Sequence, residues 1–491
     1  SYDSGYGSHA TSEIPLSVPP GNLKFSGKVG VDDAAGAGKG SVVFRVLSGE
    51  RILWESPVMK AGDPAKEFQI EVPSNRHRML YLQADQVDDI NYDHADWVDL
   101  QWHAGEADEL EKPRVRKGEE FGLVPDSPED QSAAFRSAIS ALRNAPGSTL
   151  QLAPGEYHFH PQGALKKHFH ISNHQQVLWQ PVPIPLVDLR DVTIDGQGSL
   201  LLFHGMVQPL LVMDSKNITL RNLAMDYVIP HHSQGILSEV TADHYVVEID
   251  PEKYPHEIRD GWLVFTGEGW ETPDHGYGIV FDGTSGAIVA GTSDYHYQGP
   301  LTELAKGKYR VAENLAADGI KAGDVIVFRH NVWVNRPHPG VVLYRAKRTT
   351  LHDVRIHSAH GMGLLAQRSE DIHIQGGGVF PRQGTGRFFS TNADATHFSN
   401  CKGLILAEGS RYEGMMDDAI NVHATCLRIE EIVGGDVIRA RYVHGQAVGF
   451  ETFLPGETLR FIVAETLTPT EERRVKDVQR IANNELTITL D

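Results

Sequence analysis

Cysteine is nearly absent: Cys401 and Cys426 are the two in 491 residues. Two cysteines build neither a disulfide scaffold nor a structural zinc site. They stand 25 residues apart, which would let them stack on neighbouring turns of a repeat as small buried apolar residues. The chain also lacks any run of 18 apolar residues, so no transmembrane helix is expected. Basic charge is scarce as well, with 45 basic residues against 65 acidic and a net charge of −20. A phosphate backbone is bound by displacing counterions with basic side chains, so nucleic acid is excluded as the main partner. No Met and no apolar leader open the chain at Ser1, so targeting information is expected to be absent or removed. What is present is 40% hydrophobic residues, a globular composition in a chain too long for one core. Two or more domains are expected, with a surface that suits a neutral, hydroxyl-rich ligand.

Residues 1–108 predict a β-sandwich. "KFSGKVGVDD", "GSVVFRVLSG", "RILWESPV", "EFQIEVPS" and "RMLYLQADQV" are short alternating runs separated by Gly, Pro, Asp and Ser. Within this segment "AGAGKGS" at 35–41 lacks the Gly spacing and the strand–helix setting of a phosphate loop. A charged linker at 109–118 follows. The texture then changes. "SPEDQSAAFRSAISALRNAP" has apolar residues at helical spacing, which predicts one helix over 128–144 with Ser127 as its N-cap.

Short strands then recur without helices between them. "DVTIDGQGSLLLF", "NITLRNLAMDY", "TTLHDVRIHSA", "DIHIQGGGV" and "KGLILAEGSRYEG" each pair a polar turn with an alternating strand. Their starts at Asp191, Asn217, Thr349, Asp371 and Lys402 give adjacent spacings of 26, 22 and 31 residues, with one large gap. A period in the twenties with strands in each repeat is the signature of a parallel β-helix, whose turns stack about 4.8 Å apart. The helix would cover its open end. The expected fold is therefore all-β: a right-handed parallel β-helix over 119–230 and 331–425, preceded by the sandwich. Residues 231–330 carry their own β-pattern and are expected as an inserted β-barrel-like domain. Residues 426–491 are expected as a second insertion, cut short.

Two segments stand out against this pattern, "STNADATHFSNCKG" at 390–403 and "EGMMDDAINVH" at 413–423. Asp394 and Asp417 are 23 residues apart, about one solenoid turn, so their carboxylates could meet. Asp417 and Asp418 can share a cleft if the strand breaks, and Gly414 permits a break. Three clustered carboxylates raise at least one pKa, which a general acid needs at neutral pH. Glycosidic bond hydrolysis with carboxylate acid and base is the reaction this suits best. A separation of roughly 6.5–9.5 Å indicates inversion, and about 5–5.5 Å retention. Capping of solenoid turns and binding of a hard cation remain open at this point.

"FSTNADATHFSNCKG" and "GMMDDAINVH" closely resemble glycoside hydrolase family 110, the exo-acting α-1,3-galactosidases. "NRPHPGVVLYRAKRTTLHDVRIHSAHGMGLLAQRSEDIHI" resembles the same family, and the similarity spans roughly residues 118–491. The resemblance implies a parallel β-helix with inserted β-barrel-like domains and hydrolysis with inversion. It implies removal of terminal α-1,3-linked galactose, as in blood-group B and linear α-galactosyl glycans. The catalytic set carries over onto Asp394, Asp417 and Asp418. By the parallel with the three aspartates of β-helical polygalacturonases, Asp417 is the implied proton donor, and Asp394 and Asp418 hold the water. "GYGSHATSEIPL", "KVGVDDAAG", "SVVFRVLSGERILWES" and "DHADWVDLQW" resemble the carbohydrate-binding modules abbreviated NPCBM. That match begins partway into the module, so it is expected to be N-terminally incomplete.

Sugar recognition needs hydrogen bonds to several hydroxyls and an apolar face for stacking. Candidates for substrate contacts are His397, Asn421 and His423 beside the aspartates, and Gln367 in "LLAQRSED". His330, Asn331, Trp333 and Arg336 stand at the exit of the first insertion. Arg382 and Arg387 lie in the Gly-containing loop "FPRQGTGRFF". With Arg411 these two keep open a rival substrate, a sulfated algal galactan of the carrageenan type. A non-catalytic carbohydrate-binding β-helix is the rival of another class. Trp97 and Asp96 are expected in the sandwich core rather than on a sugar. No cofactor and no resident metal are expected. The expected partner is a glycan with terminal α-galactose, met outside the cytoplasm by a secreted or periplasmic bacterial protein. Association into homo-oligomers is left open.

Overall fold

The computed structural model describes residues 5–73, 78–87, 93–105, 110–174, 178–272, 277–293, 296, 299, 301–329 and 336–491. Its N-terminal part is a two-sheet antiparallel sandwich. Gly5–His9, His94–Ala104, Asn22–Val31 and Lys66–Pro73 form one sheet. Ser12–Ser17, Met79–Gln86, Val42–Ser48 and Arg51–Glu55 form the other. Strict alternation sends Phe25, Val29, Phe44, Val46, Leu82 and Trp97 inward. Trp97 is fully buried, its ring edge-on to Phe44 at 5.3 Å, as a core residue.

The solenoid follows. Arg190–Phe203, Lys216–Tyr227, Lys347–Ile356, Glu370–Gln375 and Lys402–Glu408 pair in parallel, with Arg190, Lys216, Lys347, Glu370 and Lys402 in register. A second parallel sheet runs through Ile184–Val187, Leu210–Met213, Val341–Tyr344, Leu364–Gln367, Thr396–Ser399 and Ile420–His423. The fold is thus the expected all-β parallel β-helix. The polar turns before each strand have a physical cause. Asp188, Asp214, Arg345, Arg368 and Asn400 all have positive φ at one corner, and Asp191, Asn217, Arg348 and Asp371 repeat it three residues on. Asn and Asp adopt this left-handed conformation at low cost, which is why they recur at the solenoid period. Between the sheets Ile194, Leu220 and Leu351 stack with Leu186, Val212 and Leu343 in one apolar core.

The helix spans Ser132–Asn144 and lays Phe135, Ala138, Ile139 and Leu142 on that core. It starts later than the Ser127 cap predicts, because Ser127–Asp130 pairs as a strand with Glu156–Phe159. Asp130 does the capping: its carboxylate accepts from the Ser132 backbone N–H at 3.1 Å. The expected linker also ends early, since Val115–Lys117 is a strand beside Thr149–Gln151.

Between Tyr227 and Val341 the chain leaves the solenoid for a six-stranded antiparallel sheet of His232–Val240, Tyr245–Glu248, Tyr277–Phe281, Leu301–Ala305, Lys308–Val311 and Val325–Arg329, with a three-stranded one of His256–Arg259, Trp262–Gly267 and Trp270–Glu271. Their core takes in Phe389 and Met416, two solenoid residues that flank the aspartate segments. A further antiparallel sheet is built from Leu427–Ile432, Val437–Tyr442, Thr458–Val463, Thr468–Ala482 and Glu485–Leu490. The sandwich is docked onto the solenoid by buried charge. Lys167 Nζ reaches Glu13 at 2.8 Å, both side chains 2% exposed or less, and lies 3.6 Å above the Tyr81 ring. Arg143 pairs with Glu50 and donates to the Val187 carbonyl at 2.7 Å. Tyr81 donates to Asp214 at 2.6 Å. Among the described residues no helix is long and apolar enough to cross a membrane.

Candidate active site

Residues 391–395 and 414–419 lie side by side on adjacent solenoid turns, outside the regular strands. Four backbone bonds zip them together. Ser390 N–H donates to Gly414 at 2.7 Å, Met416 to Thr391 at 3.1 Å, Ala395 to Asp418 at 2.8 Å, and Thr396 to Ala419 at 3.1 Å. Gly414 has φ of 68° and packs against the Phe388 carbonyl, where a Cβ would stand 2.6 Å from the oxygen. Only glycine fits this break in the strand. Met416 plugs into the barrel core, and the next two residues turn out to solvent.

The break brings the three aspartates together. One carboxylate oxygen from each of Asp394, Asp417 and Asp418 lies within 4.8 Å of the others. Their environments differ. Asp394 is 3% exposed and accepts from the His397 ring at 2.5 Å. Asp418 is exposed and accepts from Asn421 Nδ2 at 3.0 Å. Asp417, its side chain 42% exposed, faces Arg336 Nη2 at 3.4 Å. Partial burial, then the Asp394 charge, push the Asp417 carboxyl above its ordinary value, against the pull of Arg336. The cluster therefore holds one carboxyl biased toward its protonated form beside two others, the division of labour that acid–base hydrolysis requires. The same oxygens could ligate a hard cation, but acidic groups lie close together in many proteins without one, and here each carboxylate already has a donor of its own.

The sequence candidates fall into three sets. Asn421, His423 and Arg336 stand at the cluster. His423 Nε2 lies 2.7 Å from His397 Nε2 and 3.1 Å from Asn173 Nδ2. His397 is 1% exposed, so it contacts Asp394 rather than a sugar hydroxyl. A second set is engaged elsewhere. Gln367 is fully buried; its amide donates to the His170 carbonyl at 2.5 Å and its oxygen accepts from Ser172 N–H at 2.9 Å. It is a clamp on the loop that carries Asn173, not a substrate contact. Arg387 grips Asp226 with both guanidinium arms, at 2.9 and 2.5 Å, and Arg382 reaches Glu156 at 3.2 Å. Arg411 lies over the Phe380 ring and pairs with Glu413 at 2.7 Å. The third set, His330, Asn331 and Trp333, lies outside the described residues. The cysteines are both free; Cys401 is half-buried, and Cys426 is exposed rather than buried as expected.

Sequence reasoning missed Asn173, Arg329 and Asn392. Arg329, the last residue of its barrel strand, donates to the Asn392 side chain at 3.1 Å and to its carbonyl at 3.0 Å. It ties the insertion to the Asp394 segment, and its charge is felt at Asp417. The only signal in the sequence was a charged residue ending an apolar run, "VIVFR".

Residues 1–103 match the NPCBM/NEW2 domain, 233–326 the GLAA-B beta-barrel domain I, and 437–491 the GLAA-B beta-barrel domain II. The whole chain is 49% identical over 492 residues to alpha-1,3-galactosidase B of Akkermansia muciniphila, of which it covers 61%. Alpha-1,3-galactosidase B of Parabacteroides distasonis is 37% identical over 71% of this chain and 57% of its own length. Alpha-1,3-galactosidase A of Shewanella woodyi is 31% identical over 70% of this chain and 56% of its own. The chain thus spans 61% or less of these curated relatives. With 49% identity along its full length and two GLAA-B barrel domains built into its β-helix, this chain is similar throughout to the curated α-1,3-galactosidases, consistent with glycoside hydrolase family 110.

Proposed function

We propose that this protein is an exo-acting glycoside hydrolase that releases terminal α-1,3-linked galactose with inversion. The observation that carries the reading is the aspartate cluster, three carboxylates converging with one of them biased toward protonation. Asp417 donates its proton to the glycosidic oxygen as the C–O bond breaks. Asp418, with Asp394, orients a water, and one carboxylate takes its proton as the water oxygen bonds to the anomeric carbon. The proton returns to Asp417 from solvent, which its exposure allows.

Two arguments point in opposite directions on stereochemistry. Oxygens within 4.8 Å are closer than the roughly 6.5–9.5 Å of a simple two-carboxylate inverting pair. A third carboxylate, however, has no task in a double displacement, whereas two are well used in holding one water. The second argument favours inversion, and the anomer first released tests it.

Substrates of blood-group B type and linear α-galactosyl type both end in the required bond. Release of galactose from a branched B trisaccharide and from a linear α-1,3-galactobioside, followed side by side, separates them. The sulfated-galactan reading loses its support, because Arg382, Arg387 and Arg411 each have a carboxylate partner. A non-catalytic sugar-binding β-helix accounts for no biased carboxyl. The glycan is met outside the cytoplasm in this reading, by a secreted or periplasmic bacterial protein, with the sandwich as a further sugar contact. Failure of the wild-type protein to release galactose from either substrate overturns the proposal.

A further inference from the structure

Behind the exposed aspartates runs a line of four side chains. Asp394 Oδ2 stands 2.5 Å from His397 Nδ1, and His397 Nε2 stands 2.7 Å from His423 Nε2. His423 Nε2 is also 3.1 Å from Asn173 Nδ2, and His423 Nδ1 is 3.2 Å from the Ala424 carbonyl. The hydrogen positions follow from which atoms can donate. A carbonyl only accepts, so His423 Nδ1 carries a proton. Burial, first, and the neighbouring His397 hold His423 below its ordinary value, so it is neutral and its Nε2 is bare. That bare nitrogen accepts from Asn173 and from His397, so His397 Nε2 is protonated. One further proton lies on the short axis between His397 Nδ1 and Asp394, because a carboxylate and an unprotonated nitrogen would repel there.

We infer that His397 is a positioning residue that shares one proton with Asp394, so that the two act as a single neutral unit and leave Asp418 as the carboxylate that deprotonates the water. This rests on the proposed hydrolase reading and divides its labour. Three negative carboxylates within 4.8 Å would repel strongly. With Asp394 sharing a proton from behind and Asp417 biased toward its protonated form, the free negative charge of the cluster is concentrated on Asp418. Asn421 holds that carboxylate at 3.0 Å. Asp394 then orients the water through its other oxygen. Among the described residues, the other charged or titratable groups that face this unit are Arg329 from the first insertion, Arg336 at its exit, His174 from the Gln367-clamped loop, and His444 beyond His423.

The test joins a spectroscopic signature to kinetics. A proton on so short an axis gives a ¹H resonance far downfield of the amide envelope. The wild-type protein is expected to show it at neutral pH, and His397→Asn and Asp394→Asn are each expected to lose it. On an α-1,3-galactobioside, His397→Leu is expected to lower kcat by about 10²-fold or more with KM near the wild-type value. His397→Asn, which keeps one N–H toward Asp394, recovers part of that loss. A residue that merely fills space would give the opposite order, since Leu preserves packing better than Asn. A wild-type spectrum without the resonance, or one that keeps it in Asp394→Asn, overturns the inference even if His397→Leu fails to fold. A protein that shows the resonance yet releases no galactose overturns the hydrolase reading and leaves the shared proton standing.

Discussion

Arg336 Nη2 stands 3.4 Å from Asp417 Oδ2, so the proposed acid is paired with a fixed positive charge. The two influences on Asp417 oppose each other. Burial and the Asp394 charge raise it, and Arg336 and Arg329 lower it, with a net shift upward. An acid catalyst works while protonated, so kcat/KM is expected to fall as pH rises through the raised Asp417 value. Removing the Arg336 charge raises that value further. Arg336→Gln is therefore expected to move the alkaline limb of the kcat/KM profile to higher pH. A limb that stays in place, or moves down, contradicts the assignment of Asp417 as the acid.

Met416 precedes the aspartate pair and is 4% exposed in the barrel core. Met416→Ala leaves a cavity and is expected to cost about 2–5 kcal/mol. It should also lower kcat, because the anchor beside Asp417 and Asp418 is lost. Leu237→Ala, in the same core but on a strand that carries no site residue, should cost similar stability and leave kcat near wild type. Denaturant unfolding and steady-state kinetics on both variants check the contrast.

The Glu13–Lys167 pair is buried between the sandwich and the solenoid, and burial holds Glu13 above its ordinary value. Breaking such a pair from one side strands a charge. Lys167→Met is expected to destabilise by about 3–5 kcal/mol, and adding Glu13→Leu to recover most of it. A double-mutant cycle by thermal or urea unfolding measures the coupling. Additive losses would mean that the two charges do not meet in solution.

Gln367→Leu strips partners from the His170 carbonyl and the Ser172 N–H, each buried group costing about 1–3 kcal/mol when left unpaired. The loop they anchor holds Asn173 against His423. The expected outcome is lower stability together with lower kcat and little change in KM. A rise in KM alone would restore Gln367 as a direct substrate contact.

The solenoid was legible because its repeat is written in the turns. Asp191, Asn217 and Asp371 mark corners where the backbone takes positive φ, and apolar residues alternate from each mark. The aspartates were legible for the same reason, one turn apart with a glycine break at Gly414. Partners that come from distant segments were not. Asn173 reaches His423 across 250 residues and Arg329 reaches Asn392 across 63, and neither pairing has a local pattern. Arg387, in a Gly-containing loop just before the Asp394 segment, and Gln367, in "LLAQRSED", were candidate substrate contacts. Each has its partner within the protein, Asp226 and the 170–172 backbone. The helix start moved because Ser127–Asp130 had a strand partner in Glu156–Phe159 that propensity alone does not reveal.

The most direct measurement is proton NMR of an α-1,3-galactobioside with the wild-type protein from the first minutes, repeated with Asp417→Asn. The account predicts that β-galactose appears first and that Asp417→Asn slows its release by about 10²–10⁴-fold. α-Galactose appearing first, or an Asp417→Asn protein that works at the wild-type rate, would contradict it.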